Sequence, residues 1–371
     1  MLARGWFVQD TTGSPFLVSM TMAAMMLPML ILSLPGGIVA DRLDRARVVA
    51  AGEAVTLAAF IAVAALVIAG VAQPWHILVA SGVNGVAFAL SLPARHSIIA
   101  SLVPKSQLPA ATGLAHTVWS SAQIVGPAIA GVIIAGVGIE AAFILGAALI
   151  LPSLGLFATL RDRRPVFKRA HGAATQELTA GIAVIRSDPG LRWLLLSSLV
   201  VSLAIMPWQS IAPVFVDDVL GGGPAALGTI VLAAGIGSLL ASIAVVSIGP
   251  RFSYEKVAIA SGLAAAAAIA GFALSPFLPL SMLFAGLAGL AGTAFMVTNM
   301  TVLQISVTDE FRGRVMSIRF LVVGLVPVGM MALGGLAEIA GPRIALTAFA
   351  IAGAVGFALI QRVGRSAPNN P

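Results

Sequence analysis

Apolar residues run in long unbroken stretches along this chain, and polar residues gather in the short segments between them. The eleven apolar stretches are residues 16–40, 47–70, 76–92, 107–135, 138–160, 191–216, 225–248, 255–274, 277–303, 315–337 and 344–361. A helix needs roughly 20 apolar residues to cross the hydrocarbon of a bilayer, and none of the stretches shows the period-two alternation of a barrel strand. The pattern predicts an all-α polytopic membrane protein with eleven full spans.

Residues 1–10 (MLARGWFVQD) form a shorter segment ahead of the first full span. They lack the basic start and the cleavage site of a signal peptide. We expect them to be the outer end of one more helix whose inner half is missing, which leaves helix one as a truncated stump. The expected reason is a start codon assigned too late, and a true truncation is the alternative.

The basic residues orient the chain. The chain has 21 Lys and Arg residues, and all except Arg4 and Arg343 are assigned to every second segment between spans or to the C-terminal end. Arg319 is counted with the segment after the ninth span. Lys and Arg concentrate in cytoplasmic loops, so these segments and the C-terminus are predicted to be cytoplasmic. The same distribution explains the net charge of +7 without nucleic acid, because the charges do not form one basic face.

Composition narrows the classes of function. The chain is 59% hydrophobic and 9% charged, with a mean hydropathy of +1.04, which excludes a soluble protein. It has no cysteine, which excludes disulfides and thiolate metal sites. There is no G-x-x-x-x-G-K-[ST] phosphate loop. We therefore predict no enzyme activity, no cofactor, no metal and no ATP-driven pumping within this chain.

A polar segment divides the chain after the sixth helix, counting the incomplete one. The predicted domains are an N-terminal bundle at 1–160, a cytoplasmic linker at 161–190, a C-terminal bundle at 191–362 and a tail at 363–371. Within the linker, residues 177–185 have the spacing of an amphipathic helix at the membrane surface. This helix is either a simple tether or a latch that couples movement of the halves.

The two halves echo each other in sequence. SLVPKSQLPAATGL at 101–114 and ISVTDEFRGRVMSI at 305–318 each lead from a cytoplasmic loop into the next span. GGIVADRLDRAR at 36–47 has a weaker partner in VSIGPRFSYEK at 246–256. A parallel repeat of this kind is typical of two six-helix bundles related by an axis along the membrane normal.

Several motifs resemble those of the major facilitator superfamily. GIVADRLDRAR at 37–47 resembles the G-x-L-A-D-R-x-G-R-R loop between helices two and three, with departures at Val39 and Asp44. GPAIAG at 126–131 resembles the G-P-x-x-G pattern on helix five of exporters. DEFRGRVM at 309–316 resembles the start of helix eleven. With SLPARHSIIASLVP at 91–104, these motifs indicate the enterobactin-exporter-like and macrolide-efflux-like subgroup.

The resemblance implies the major facilitator fold, in which two six-helix bundles rock about a pocket near the membrane midplane. It also implies a cytoplasmic gate in which Asp41 pairs with the start of helix eleven in one conformation only, since a carboxylate is attracted to a helix N-terminus. The implied gating residues are Gly37, Asp41, Arg42, Arg45, Arg312 and Arg314. The alternative is that these charges only fix topology.

The helix-five motif consists of Gly126, Pro127 and Gly131. Proline removes a helix hydrogen bond, and glycine allows a neighbouring helix to approach closely. The motif is predicted to bend helix five beside the central cavity, and plain helix packing is the alternative.

Polar side chains inside the spans are candidates for contact with a substrate or a proton, because ionisable groups within a membrane are functional by default. The candidates are Arg4, Asp10, Glu53, Asn84, Trp208, Gln209 and Asn299. For Arg4, the partner is either an anionic substrate or an acid within the protein. For Glu53, the alternative to proton movement is an ion pair with an arginine near the interface.

The sequence therefore predicts a secondary transporter, expected to be a proton-coupled exporter of small amphipathic molecules such as a drug, macrolide or siderophore. The expected setting is the plasma or inner membrane, with a lipid bilayer and a small-molecule substrate as partners and with a monomeric protein. The alternatives are a non-transporting membrane protein, an inactive remnant without helix one, and an importer on the same scaffold.

Overall fold

The computed structural model of the chain describes residues 1–160, 182–248 and 254–364. Within these ranges the side chains of residues 33–42, 100–101, 105, 109, 116, 246–248, 254–255, 309–310, 312 and 362–364 are not described. The main helices are α1 (Leu2–Thr12), α2 (Pro15–Arg42), α3 (Arg45–Ile68), α4 (Pro74–Leu102), α5 (Leu108–Gly136), α6 (Ile139–Thr159), α7 (Pro189–Val219), α8 (Pro224–Ile248), α9 (Tyr254–Leu274), α10 (Leu278–Ser306), α11 (Asp309–Val323), α12 (Val326–Ala340) and α13 (Pro342–Gly364).

The described residues contain eleven helical segments that are long and apolar enough to cross a membrane. This confirms the eleven predicted spans. One of the segments, Gly313–Ala340, combines most of α11 with α12. The eleven-residue α1 is shorter. Gly13 caps its C-terminal end with a φ of 60°, the left-handed conformation that glycine adopts at low cost.

Short-range chemistry fixes where several helices begin. Proline lies in the first turn of α4, α7 and α12, where its missing N–H is not needed. Asp44 caps α3 by accepting a hydrogen bond from the Arg47 backbone N–H at 3.1 Å. Asp188 caps α7 by accepting from the backbone N–H groups of Gly190 at 2.7 Å and Leu191 at 3.2 Å. The departure at Asp44 from the family motif therefore has a local role as a helix cap.

The contacts divide the chain into two units. The first unit comprises Met1–Ala170 together with Gly223–Gly228, and the second comprises His171–Gly222 and Thr229–Pro371. In the first unit α3 packs against α4 and α6. In the second unit α9 packs against α10 and α13 in the same way. Each unit therefore has the same pattern of neighbours, with its third helix packed on its fourth and its last.

Glycines bring helices together within each unit. A Cβ atom at Gly85 on α4 would collide with the backbone of Met25 on α2. A Cβ atom at Gly237 on α8 would collide with the backbone of Gly286 on α10. Small residues permit this close approach where lipid offers no hydrophobic drive for helices to associate.

The backbone of α7 is irregular. Its regular part ends at Val200, and π-type turns at Val201–Ile205 and Phe215–Val219 flank a 3₁₀ segment at Met206–Ile211. Pro207 and Pro213 lie in this part of the helix and cannot donate backbone hydrogen bonds. Turns of the π type are frequent at functional sites.

Large apolar side chains cover much of the outer surface. Ile68, Leu149 and Ile339 are 62%, 68% and 87% exposed. Apolar exposure of this extent is typical of a surface in contact with lipid. The predicted surface helix of the linker lies largely outside the described residues, and only residues 182–187, which are helical, belong to the described part.

Candidate functional site

A buried arginine lies at the centre of the polar residues of the first unit. Arg4 on α1 is 3% exposed, and its Nη1 donates to Ser81 Oγ on α4 at 3.4 Å. The amide orientation that satisfies Asn84 turns its oxygen towards the guanidinium, where it accepts from Nη2 and, at 3.1 Å, from Nη1. The guanidinium also lies 4.9 Å from the centroid of the Phe60 ring. Two of the sequence candidates, Arg4 and Asn84, are thus in direct contact.

The partners of Arg4 are neutral. No carboxylate lies within ion-pair distance of it among the described residues, and its buried Nε has no hydrogen-bond partner there. A hydroxyl, an amide oxygen and an aromatic face stabilise a cation only in part. The site therefore has a positive charge that a negatively charged group would stabilise.

Glu53 on α3 lies elsewhere in the first unit and has its own partner. Glu53 is 7% exposed, and its carboxylate forms an ion pair with Arg95 on α4. The Arg95 guanidinium also lies 5.7 Å from the Phe157 ring centroid. Glu53 is therefore a buried carboxylate that is neutralised within the protein.

A second buried arginine lies in the second unit. Arg319 on α11 is 6% exposed, and its Nε donates to Asn299 Oδ1 on α10 at 3.4 Å. The prediction that Arg319 belongs to a cytoplasmic loop is wrong, because α11 begins at Asp309 and carries Arg319 inside its span. The error arose from counting charge by position in sequence. The apolar residues on both sides, Val315 and Phe320 among them, are the signal for an arginine within the membrane.

Asn299 holds the polar cluster of the second unit together. Its Nδ2 donates to the carbonyl of Leu194 at 3.0 Å and to Ser197 Oγ at 3.2 Å, and its Oδ1 accepts from Ser198 Oγ at 2.9 Å. Asn299 is fully buried. The serines of α7 were not candidates from sequence, because serine is too common in spans to stand out.

Trp208, Gln209 and Asp10 have different surroundings. Trp208 is buried and packs edge-on against Phe272 at a centroid distance of 5.1 Å. Gln209 and Asp10 are exposed. Among the candidates of the first unit, Arg4 and Asn84 are in contact with each other, and Glu53 pairs with Arg95 instead.

The predicted gating residues are described in part. Gly37, Asp41 and Arg42 lie in the last turns of α2, and their side chains are outside the described set, as is that of Arg312. Arg45 lies in the first turn of α3. Arg314 on α11 places its guanidinium 5.3 Å from the ring centroid of Phe311. The gate stays a prediction.

The helix-five motif lies inside α5, which continues without interruption through Pro127 to Gly136. A Cβ atom at Gly126 would meet no neighbour within 4 Å. A Cβ atom at Gly131 would lie 2.5 Å from the carbonyl oxygen of Pro224 and 3.1 Å from Cα of Gly228, both in the first unit. Gly131 is therefore a site of close helix packing, whereas Gly126 has free space beside it.

An apolar cavity of about 800 Å³ lies between α3 and α4. Its lining includes Val55, Val83 and Val86, with Asp44 and Arg47 at one end. None of the seven substrate or proton candidates lines it. In the part of the chain that is described, no three His, Cys, Asp or Glu side chains gather to hold a metal ion.

Eleven apolar spans, repeated packing in two units and buried polar clusters within the spans define a polytopic helical membrane protein. A family model described as transmembrane secretion effector matches residues 1–367. The chain belongs to this family of major facilitator superfamily transporters, as its sequence motifs indicated.

Comparisons with individual proteins agree with this family. Macrolide efflux protein A of Streptococcus pyogenes is 24% identical over 88% of this chain and 82% of its own length. The multidrug efflux pump Tap of Mycobacterium tuberculosis is 27% identical over 95% of this chain and 86% of its length. The MFS-type transporter YfiS of Bacillus subtilis is 27% identical over 61% of this chain, and the match spans about half of YfiS (54%).

The fold is also that of solved transporters. The crystal structure of the nucleoside transporter NupG superposes with a TM-score of 0.76 at 16% identity, covering 98% of this chain and 94% of NupG. An identity this low supports the shared fold alone. The superposition confirms the predicted major facilitator fold.

Proposed function

We propose that this transporter is a secondary active exporter of small amphipathic molecules that works by alternating access and proton antiport. The observation that carries the proposal is the Arg4–Asn84–Ser81 cluster, a buried polar group inside an otherwise apolar unit. Polar groups within the membrane are costly and mark substrate or ion pathways. The names of the relatives, a macrolide efflux protein and a multidrug efflux pump, favour outward transport of drug-like cargo.

Arg4, Asn84 and Asn299 are the proposed cargo contacts, and Glu53 is the proposed proton-linked carboxylate. Glu53 is a buried carboxylate that pairs with Arg95, so the loss of its charge would leave Arg95 without a carboxylate partner between α3 and α4. Proton coupling predicts that Glu53→Gln abolishes flux driven by an imposed pH gradient.

The test is transport in inverted membrane vesicles with erythromycin and ethidium as separate cargoes. An exporter accumulates cargo inside the vesicles when their interior is made acidic, and an uncoupler abolishes the accumulation. Uptake by right-side-out vesicles instead indicates import. No flux in either preparation, from well-expressed protein, contradicts transport and favours the inactive remnant.

Asp41→Asn tests the proposed gate of Asp41, Arg42, Arg45, Arg312 and Arg314. If the gate depends on the charge of Asp41, the Asp41→Asn variant should transport at least tenfold less cargo, while its expression and melting temperature stay unchanged. Asp44→Asn is the control, because Asn also caps helices well. Normal flux in the Asp41→Asn variant contradicts the gate.

The proposed orientation, with the C-terminus in the cytoplasm, is testable because the chain has no cysteine. Leu43 and Val71 flank α3 and are 56% and 57% exposed, so they form a matched pair. In intact cells a membrane-impermeant maleimide should label the Val71→Cys variant and not the Leu43→Cys variant. The reverse pattern contradicts the orientation.

A further inference from the structure

Arg319 is held by weak and neutral contacts. Its Nε donates to Asn299 Oδ1 at 3.4 Å, and its Nη2 lies 3.7 Å from the sulfur of Met296. Among the described residues no carboxylate lies within 4 Å of its guanidinium. Two long contacts use only part of the five N–H donors of an arginine.

The surroundings of Arg319 have few acceptors left. Asn299 Oδ1 already accepts the hydroxyl proton of Ser198 at 2.9 Å, so Arg319 shares an occupied oxygen. The described hydrogen-bond acceptors of Arg319 are therefore one shared amide oxygen and one thioether sulfur, around one positive charge in a span.

The rest of the chain shows what would satisfy such a charge. The charge of Arg95 in the first unit is neutralised by the carboxylate of Glu53. Arg319 has no such partner in the described part of the second unit, and an uncompensated charge within a membrane span is costly. A group with two anionic oxygens matches a guanidinium in both charge and geometry, because the planar fork donates two parallel hydrogen bonds.

We propose that Arg319 and Asn299 bind the anionic group of the transported molecule, so that the cargo class is amphipathic organic anions with a carboxylate or sulfonate. This proposal rests on the proposed export function and assigns its substrate class. Asn299 contacts the arginine, and Arg319 is 6% exposed.

The test measures binding to the purified full-length protein in detergent with two probes that differ only in charge. Dansyl-glycine carries a carboxylate, and dansyl-glycinamide is its neutral counterpart. The wild-type protein should bind the carboxylate at least tenfold more tightly, and Arg319→Gln should remove that preference. Arg343→Gln, at an exposed arginine of the same unit, should retain it. Equal binding of both probes to the wild type, or an unchanged preference in Arg319→Gln, overturns the proposal.

A second variant keeps the test decisive if Arg319→Gln does not fold. Asn299→Asp places a carboxylate of nearly the same shape beside Arg319, which should neutralise the arginine and weaken dansyl-glycine binding at least tenfold. The matched control is Gln304→Glu, the same kind of amide-to-carboxylate change at an exposed position of α10, which should leave dansyl-glycine binding unchanged. Undiminished binding of dansyl-glycine by Asn299→Asp overturns the proposal.

Two further measurements distinguish a cargo site from a site for an inorganic ion. If inorganic phosphate displaces dansyl-glycine and binds more tightly than dansyl-glycine, the site is one for an inorganic ion and the cargo assignment is overturned. Flux of dansyl-glycine into inverted vesicles that is lost in Arg319→Gln supports it. If erythromycin is transported but no anion preference is found, the anion site is overturned and the export function still stands. If an anion binds but no cargo is transported, the export function and the cargo assignment are both overturned.

Discussion

Among the described residues each unit has one arginine that is at least nine-tenths buried, and the two arginines are held very differently. Arg4 contacts Ser81, Asn84 and the face of Phe60. Arg319 shares the oxygen of Asn299 with Ser198 and otherwise meets a thioether. Both residues lie in helices of an apolar protein, and both lack a carboxylate partner among the described residues.

The difference indicates how a repeated scaffold divides its tasks. In the first unit a hydroxyl, an amide oxygen and an aromatic face contact the Arg4 guanidinium, and its Nε has no partner among the described residues. In the second unit the described contacts of Arg319 are a shared amide oxygen and a thioether. A cation with unused donors is prepared for a ligand, since the ligand then supplies what the protein does not. The asymmetry between the units therefore lies in their polar side chains, while their helix packing is alike.

The largest expected effect comes from the helix contacts that the units share. Gly85→Ala and Gly237→Ala each force a Cβ atom into the backbone of a neighbouring helix, which should destabilise by up to about 3 kcal/mol. The controls are Gly82→Ala, whose nearest neighbour is Ala24 O at 3.9 Å, and Gly292→Ala, which meets nothing within 4 Å. Melting temperatures in detergent should fall for Gly85→Ala and Gly237→Ala only. A variant that melts at the same temperature as its control in the same unit, Gly82→Ala or Gly292→Ala, contradicts the close packing at that glycine.

The next effect separates the two polar clusters. Asn84→Ala and Asn299→Ala each remove an acceptor from a buried arginine, and leaving a buried donor unsatisfied costs about 1–3 kcal/mol. Asn299→Ala should lower the melting temperature more, because Asn299 also bonds Leu194, Ser197 and Ser198. A larger loss in Asn84→Ala would reverse the comparison and identify Arg4 as the more dependent arginine.

The smallest effect concerns the helix caps, one in each unit. Asp44→Ala and Asp188→Ala each remove a side-chain acceptor from the first turn of a helix, at a cost of about 1 kcal/mol. The two variants should melt slightly below the wild type and by similar amounts, and Asn at either position should restore the wild-type value. A cap variant that loses flux at an unchanged melting temperature would show a role in transport rather than in helix formation.

The spans were predictable because their signal is local. Crossing a bilayer requires a certain length of apolar helix, and that length is visible in any one stretch of sequence. The repeat and the family were accessible for a similar reason, since motifs such as those at 37–47 and 309–316 are contiguous. Arg4 and Asn84 could be named as site candidates because they are polar residues within apolar segments of the sequence.

Their contact with each other could not be predicted, and neither could the role of Arg319. Sequence by itself determined the all-helical membrane fold and the class of transporter, because hydrophobic length and short motifs depend on neighbouring residues. Only the tertiary structure decided which polar groups meet, such as Glu53 with Arg95 and Asn299 with Arg319. These pairs join residues 42 and 20 positions apart, and their meeting depends on how helices cross rather than on the order of residues within any one of them.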